Sequence, residues 1–201
     1  MTISEICLRL PDWVEDLIPD PQRLFPTVEE RMDLAIALAR RNIESGGGPF
    51  GAAVFNLESG RLIAPGVNLV MPGHCSSAHA EIVALSLAQQ RLGLHQLGLE
   101  GGCFELVSST EPCAMCLGAV PWSGVVRLVC GARDEDARAI GFDEGDKPAD
   151  WPNLLRRRGI EVVRDVRRFD ATAVLHAYVE QGGEIYNGGP GFREGKNEKT
   201  G

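Results

Sequence analysis

The sequence predicts an α/β domain in which a single sheet is covered by helices on both faces. Three observations carry that expectation. Helical and strand periods alternate from residue 27 to residue 179. No stretch rich in Gly, Pro or Ser divides the chain into two periodic regions, and no internal repeat is visible. The length of 201 residues suits one compact domain at roughly 100 to 200 residues each.

The elements follow in order. Residues 1–26 hold Pro11, Pro19, Pro21 and Pro26 and show no sustained period, so they are expected to form an extended N-terminal arm, ordered only where it packs against the body. Thr27 followed by Glu30 makes a capping box, and Val28, Met32, Ala35, Ile36, Ala39 and Ile43 recur at helical spacing. That predicts a first helix, stopped by Gly46, Gly47, Gly48 and Pro49. Strands over 52–57 and 62–67 flank the turn residues Glu58, Ser59 and Gly60 and form a hairpin. Residues 68–77 read as loop, and Ile82, Leu85, Leu87, Ala88 and Leu92 predict a helix over 79–92, punctuated by Gly93. A short strand follows at 104–108. Pro112 starts a third helix, because the first helical position loses nothing by lacking an N–H. A strand at 125–130, a short helix at 154–158, a strand at 160–163 and a helix at 171–179 complete the series. From residue 188 the chain is Gly-rich and charged, and a flexible tail is expected over 188–201.

Lysine and arginine number 20 and aspartate and glutamate 28, so the net charge is 20 − 28 = −8. A chain of that charge is poorly suited to grip a phosphate backbone, and no nucleic acid is expected as partner. No membrane partner is expected either, since no apolar run reaches the ~20 residues that span a bilayer. The acidic start, with Glu5, Asp12, Glu15 and Asp16, lacks the basic residues and apolar stretch of a signal peptide, so a cytoplasmic location is expected. In that reducing compartment, six cysteines at short spacing read as metal ligands rather than disulfides.

Two segments concentrate the chemistry: His79-Ala80-Glu81 and Pro112-Cys113-Ala114-Met115-Cys116. Two thiolates and one imidazole form a three-ligand zinc set that leaves a fourth position for water, the stoichiometry of a catalytic rather than a structural site. Cys113 and Cys116 are three apart, so one helical turn brings both sulfurs to one side, at a helix start where the macrodipole favours thiolate. His79 and Glu81 are two apart and would diverge on a regular helix, so His79 is expected at the irregular beginning of its helix. Zinc with two thiolates and a neutral imidazole is formally neutral, which weakens its effect on water. Glu81 is then needed to accept the water proton and pass it to a ring nitrogen of the substrate.

Less specific readings stand beside this one. Cys75 could close a structural Cys₃His cage with the same three residues, or the CxxC could be a redox pair. Cys7, Cys103 and Cys130 have no partner at ligand spacing and read as core or incidental residues. His74, His95 and His176 are read in the same way, and Arg156 to Arg158 reads as a solvated helix end. The two Gly-rich stretches lack the Gly-Lys-Ser/Thr of a phosphate loop. Phe50, Trp122 and Phe142 are core by default. A flat heterocycle needs aromatic faces, however, and all three lie within or beside the motif loops, so each is a candidate for substrate contact.

His-x-Glu followed by Pro-Cys-x-x-Cys is the signature of zinc nucleobase deaminases, in which Glu carries protons and is not a ligand. With GGGPFGAAVF at 46–55, the Asn68 loop, CSSAHAEIVALSLA at 75–88, STEPCAMCLGAVPWSGV at 109–125 and AIGFDEG at 139–145, the chain resembles the cytidine deaminase superfamily, and within it the bacterial guanine deaminase branch. The resemblance implies a three-layer α/β/α cytidine-deaminase-like fold with a mixed five-stranded sheet, a deaminase domain over 27–187, one Zn²⁺ per subunit and a homodimer. It also implies that Glu144, in GFDEG, hydrogen-bonds a purine, that Asn68 binds its O6 and N7 edge, and that Tyr186 closes the pocket. The expected reaction is hydrolytic deamination of guanine to xanthine and ammonia, with side activity on aminotriazines such as ammeline. Glu81 or Glu144 would protonate the departing amine, while the N–H groups of Ala80 and Cys113 steady developing negative charge. Another base or nucleoside such as cytosine or guanosine, a tRNA adenosine, and a non-enzymatic zinc module remain the alternatives.

Overall fold

The computed structural model describes residues 7–187. Its elements are α1 (Trp13–Leu17), α2 (Val28–Glu44), β1 (Gly51–Asn56), β2 (Leu62–Val67), α3 (Val70–Gly73), α4 (Ala80–Leu92), β3 (Phe104–Thr110), α5 (Ala114–Ser123), β4 (Arg127–Ala132), α6 (Asp134–Ala139), α7 (Trp151–Arg157), β5 (Glu161–Val163) and α8 (Arg168–Glu180). The five strands form one mixed sheet in the order β2-β1-β3-β4-β5. β1 pairs antiparallel with β2 and β3, whereas β3–β4 and β4–β5 are parallel.

Alternation along the strands builds two cores. On β1, Ala53 and Phe55 face α2 and α8, while Ala52 and Val54 face α4. On β3, Val107 joins the first core and Phe104 and Leu106 the second. The sheet is therefore sandwiched, with α2 and α8 on one face and α4, α5 and α7 on the other. The capping box of α2 forms as expected: Thr27 Oγ1 accepts from Glu30 N at 3.2 Å, and Thr27 N donates to the Glu30 carboxylate at 3.0 Å. Gly66 lets α4 lie against the edge strand β2, since a Cβ there would stand 2.3 Å from Ala80 O.

The arm differs from expectation. Residues Trp13–Leu17 form a helix, with Val14 buried against α2. Leu24 bridges to Arg61, and Phe25 N donates to Gly60 O at 2.8 Å. The prolines bracket this turn rather than extend it, and burial of Val14 and Phe25 supplies what propensity does not. α3 and α6 were also not expected. Both are short, and α6 is held by Arg133 N donating to Asp136 at 2.7 Å. Pro112 lies one residue before the N-cap of α5 rather than inside the helix, and Pro121 occupies its last turn. The expected tail over 188–201 lies outside the described residues. None of the described helices is long and apolar enough to cross a membrane.

Candidate active site

Two helix starts converge behind the sheet. His79 is the N-cap of α4, with extended backbone at φ −69° and ψ 155°, and Cys113 is the N-cap of α5, at φ −63° and ψ 172°. Neither makes a side-chain cap, so both side chains are free to turn inward. His79 Nδ1 lies 3.4 Å from Cys113 Sγ, and the ligand atoms of His79, Cys113 and Cys116 all lie within 4.8 Å of one another. This group can hold one metal ion. Among the described residues it does not extend to Cys75, whose sulfur sits 3.3 Å from Ser77 Oγ. A closed Cys₃His cage is therefore not formed, and three protein ligands leave a coordination position for water.

The electrostatics suit a cation. Cys113 is drawn down to about 4, chiefly because Cys116 hydrogen-bonds to it and His79 adds a second bond, against the opposing effect of burial. Cys116 is pushed up, being the donor of that pair and buried as well. Burial works to lower His79, but the bond to Cys113 and the charge of Glu81 outweigh it and leave the imidazole raised. A thiolate, a second thiol and an imidazole sharing protons at this range are groups that a metal ion would deprotonate and bind together. The donor set fits zinc.

Glu81 stands one residue into α4 with 6 % of its surface exposed. Burial and the neighbouring Cys113 push its carboxyl up, while His79 opposes them. Ser108 Oγ, on β3, donates to Glu81 Oε1 at 3.3 Å. Glu144 is 4 % exposed on the loop after α6, and burial raises it to about 8. Lys147 pulls the other way, whereas Cys113 and Glu81 add to the rise. Two buried carboxyls thus share one field around the metal ligands, the environment in which general acids and bases are tuned.

An aromatic wall stands beside them. Phe142 packs edge-on to Phe50 at 5.0 Å and to Tyr186 at 5.2 Å. Tyr186 Oη is buried without a partner and lies against Gly48, where a Cβ would be 2.3 Å from it. Asn68 is buried, and its Nδ2 also has no partner. Buried polar atoms left unpaired cost about 1–3 kcal/mol each, so two of them on one wall point to a ligand that completes them. Ala80, also proposed from sequence, is the first residue of α4, and its N–H belongs to the uncapped first turn.

Trp122 is the exception among the expected contacts. It is 82 % exposed, on the outer face of α5 with Met115. Cys116, Val120 and Ser123 form the inward face of that helix. Six residues at ~100° each carry Trp122 about 240° away from Cys116. The ring lies beside Pro121 and Trp151 on the far side of the helix from the sulfurs.

Two supporting residues escaped the sequence reading. Asn42 Nδ2, on α2, donates to Gly48 O at 2.8 Å and to Asn68 O at 2.9 Å, holding both wall segments. Ser108 is the other. Each is a polar residue in phase with a buried apolar face, Asn42 with Ala35 and Ala39 and Ser108 with Phe104 and Leu106, and that phase is the signal that could have found them.

The mixed sheet and the His-x-Glu and Pro-Cys-x-x-Cys helix starts define a zinc-dependent deaminase. Residues 26–132 match the cytidine and deoxycytidylate deaminase zinc-binding region, and the chain belongs to that family. Among its relatives are guanine deaminases. The crystal structure of a guanine deaminase from Nitrosomonas europaea is 48% identical, covers 89% of this chain and 98% of its own, and superposes with a TM-score of 0.84. A structure solved in complex with 2,6-diaminopurine is 50% identical, covers 90% of this chain and 96% of its own, and reaches 0.85. The guanine deaminase of Bacillus subtilis is 39% identical over 123 residues, 58% of this chain and 75% of that protein.

Proposed function

We propose that this chain hydrolyses guanine to xanthine and ammonia, with one zinc per subunit held by His79, Cys113 and Cys116. The observation that carries the reading is the pair of unpartnered buried polar atoms, Asn68 Nδ2 and Tyr186 Oη, beside the buried Glu144 carboxyl. The Asn68 amide offers a donor to the O6 and N7 edge of a purine, and Glu144 can accept from N–H groups that guanine has and adenine lacks. Relatives support this choice: 2,6-diaminopurine carries the same 2-amino group as guanine, and it binds a protein 50% identical to this one.

Zinc, when bound, would lower the pKa of a water and polarise it for attack at C2. Glu81 takes the proton and delivers it to ring N3. Burial raises the Glu144 carboxyl, and Glu144 shares with Glu81 the protonation of the departing amine. The edge-on pair of Phe50 and Phe142 forms the wall against which the ring lies, Tyr186 closes the pocket, and the first-turn N–H groups of Ala80 and Cys113 face the charge that develops. The same pocket would admit ammeline, whose guanidine-like edge resembles that of guanine.

The chain is further proposed to act as a homodimer in the cytoplasm. The apolar outer face of α5, with Trp122 and Met115 exposed, supports a docked second copy, and six free cysteines suit a reducing compartment. The test is a panel of free bases, nucleosides and aminotriazines assayed for ammonia. Guanine should yield xanthine and ammonia in equal amounts. Ammonia from cytosine or adenine alone would overturn the assignment.

A further inference from the structure

Lys147 has only 6 % of its side chain exposed, a rare position for a lysine. Its Nζ lies 2.5 Å from Asp134 Oδ1, donates to Pro112 O at 2.8 Å, and stands 3.9 Å from Glu144 Oε2. Asp134 is in turn gripped by Arg138 Nε at 2.6 Å, and Arg138 also donates to Gly145 O at 2.6 Å. One backbone bond runs alongside, from Ala114 N to Glu144 O at 2.8 Å. The loop from residue 143 to residue 147 is thereby laced to the turn that carries Cys113.

Lys147 forms ion pairs with both carboxylates, a close one to Asp134 at 2.5 Å and a longer one to Glu144 at 3.9 Å that makes no hydrogen bond. Glu144 is therefore steered by a fixed positive charge while its carboxyl stays available to a ligand. The carbonyl that Lys147 holds belongs to Pro112, the residue directly before Cys113. One ammonium thus spans the two parts of the site whose separation matters most: the acid on the loop after α6 and the sulfur at the start of α5. We infer that Lys147 is a positioning residue, fixing the Glu144 carboxyl against the Cys113 turn so that the purine meets both in register. A loop carboxyl without this tether would have to be ordered at each turnover, and small misplacements of reacting groups are costly in rate.

This inference rests on the reading that Glu144 touches the purine, and the experiment separates the two. Turnover of guanine is measured for the zinc-loaded enzyme and for Lys147→Met, Glu144→Gln and the double variant, with zinc content and thermal midpoint recorded for each. Lys147→Met should lose at least tenfold in kcat/KM with zinc near one per chain. In the Glu144→Gln background the same change should cost less than twofold, because the group it steers is gone. Asp134→Asn removes the outer anchor of the ammonium at a less buried site, and it should reproduce the pattern if Lys147→Met folds poorly. Equal losses with and without Glu144, or a loss that tracks zinc content, would overturn the positioning role. Full activity in Glu144→Gln would overturn the role of Glu144 itself, and the inference with it.

Discussion

Glu81 and Glu144 are both buried carboxyls pushed above the ordinary carboxylate range, yet their surroundings differ. Glu81 faces His79 and accepts a bond from Ser108, whereas Glu144 faces the cation of Lys147. Glu81→Ala should remove turnover by about 10²- to 10⁴-fold while one zinc per chain is retained, because Glu81 is not in the ligand group; metal analysis beside an ammonia assay checks both. Ser108→Ala should be milder. It removes one hydrogen bond worth about 1 kcal/mol, so kcat should fall about fivefold with KM unchanged. A rise in KM instead would show that Ser108 helps to bind substrate rather than to orient the carboxylate.

At the scale of elements, the site is assembled by where helices begin and where α2 ends. α5 follows β3 and α4 follows the loop after α3, and the two deliver their N-caps to one point, while α2 delivers Asn42 to the loops that carry Asn68 and Phe50. Asn42→Ala would leave Gly48 O and Asn68 O without their side-chain donor in a buried place. A cost of about 2 kcal/mol is expected: Gly48 O still accepts from Phe50 N, but Asn68 O loses its side-chain donor, and a buried carbonyl left unpaired loses about 1–3 kcal/mol. Urea unfolding should show it. KM should rise as well, because Asn68 loses its support. An unchanged KM in the folded variant would mean that the loop holds its own shape.

At the scale of the molecule, α6 and α8 are joined by ion pairs that carry a pH signature. Asp136 is held below its ordinary 3.8 by the bond from Arg168, and Asp165 by the bond from Arg133, in each case against the opposing effect of burial. A lowered folded pKa stabilises above the ordinary value and loses that contribution as pH falls through the lowered one. The contribution of these two pairs to the thermal midpoint should therefore hold from about pH 7 to pH 5 and be lost below about pH 4. Arg168→Ala should lie below the wild type at pH 7 and converge with it in acid. The difference will be modest, because the pair is partly exposed and screened. Divergence in acid would reverse the sign of the linkage. Trp122→Ser tests the outer face of α5: light scattering should show a shift from dimer to monomer, and an unchanged mass would place the interface elsewhere.

The grouping of His79, Cys113 and Cys116, the buried carboxyl of Glu81 next to them and the alternation of helix and strand were legible in the sequence, because they depend on spacings of two to four residues and on periods that local geometry enforces. The capping box at Thr27, the turn at Glu58 to Gly60 and the inward sulfurs of Cys113 and Cys116 are of this kind. What spacing could not supply was the direction in which a residue faces once its element is packed. Trp122 adjoins the motif in sequence and points away from it, because the rotation of α5 is set by burying Val120 and Ser123. Asn42, Ser108 and Lys147 lie far from His79 and Glu81 along the chain and close to the site in space. Their roles arise only when the sheet order brings four separate segments together, since a buried polar atom acquires a partner through tertiary contact and not through its neighbours in sequence.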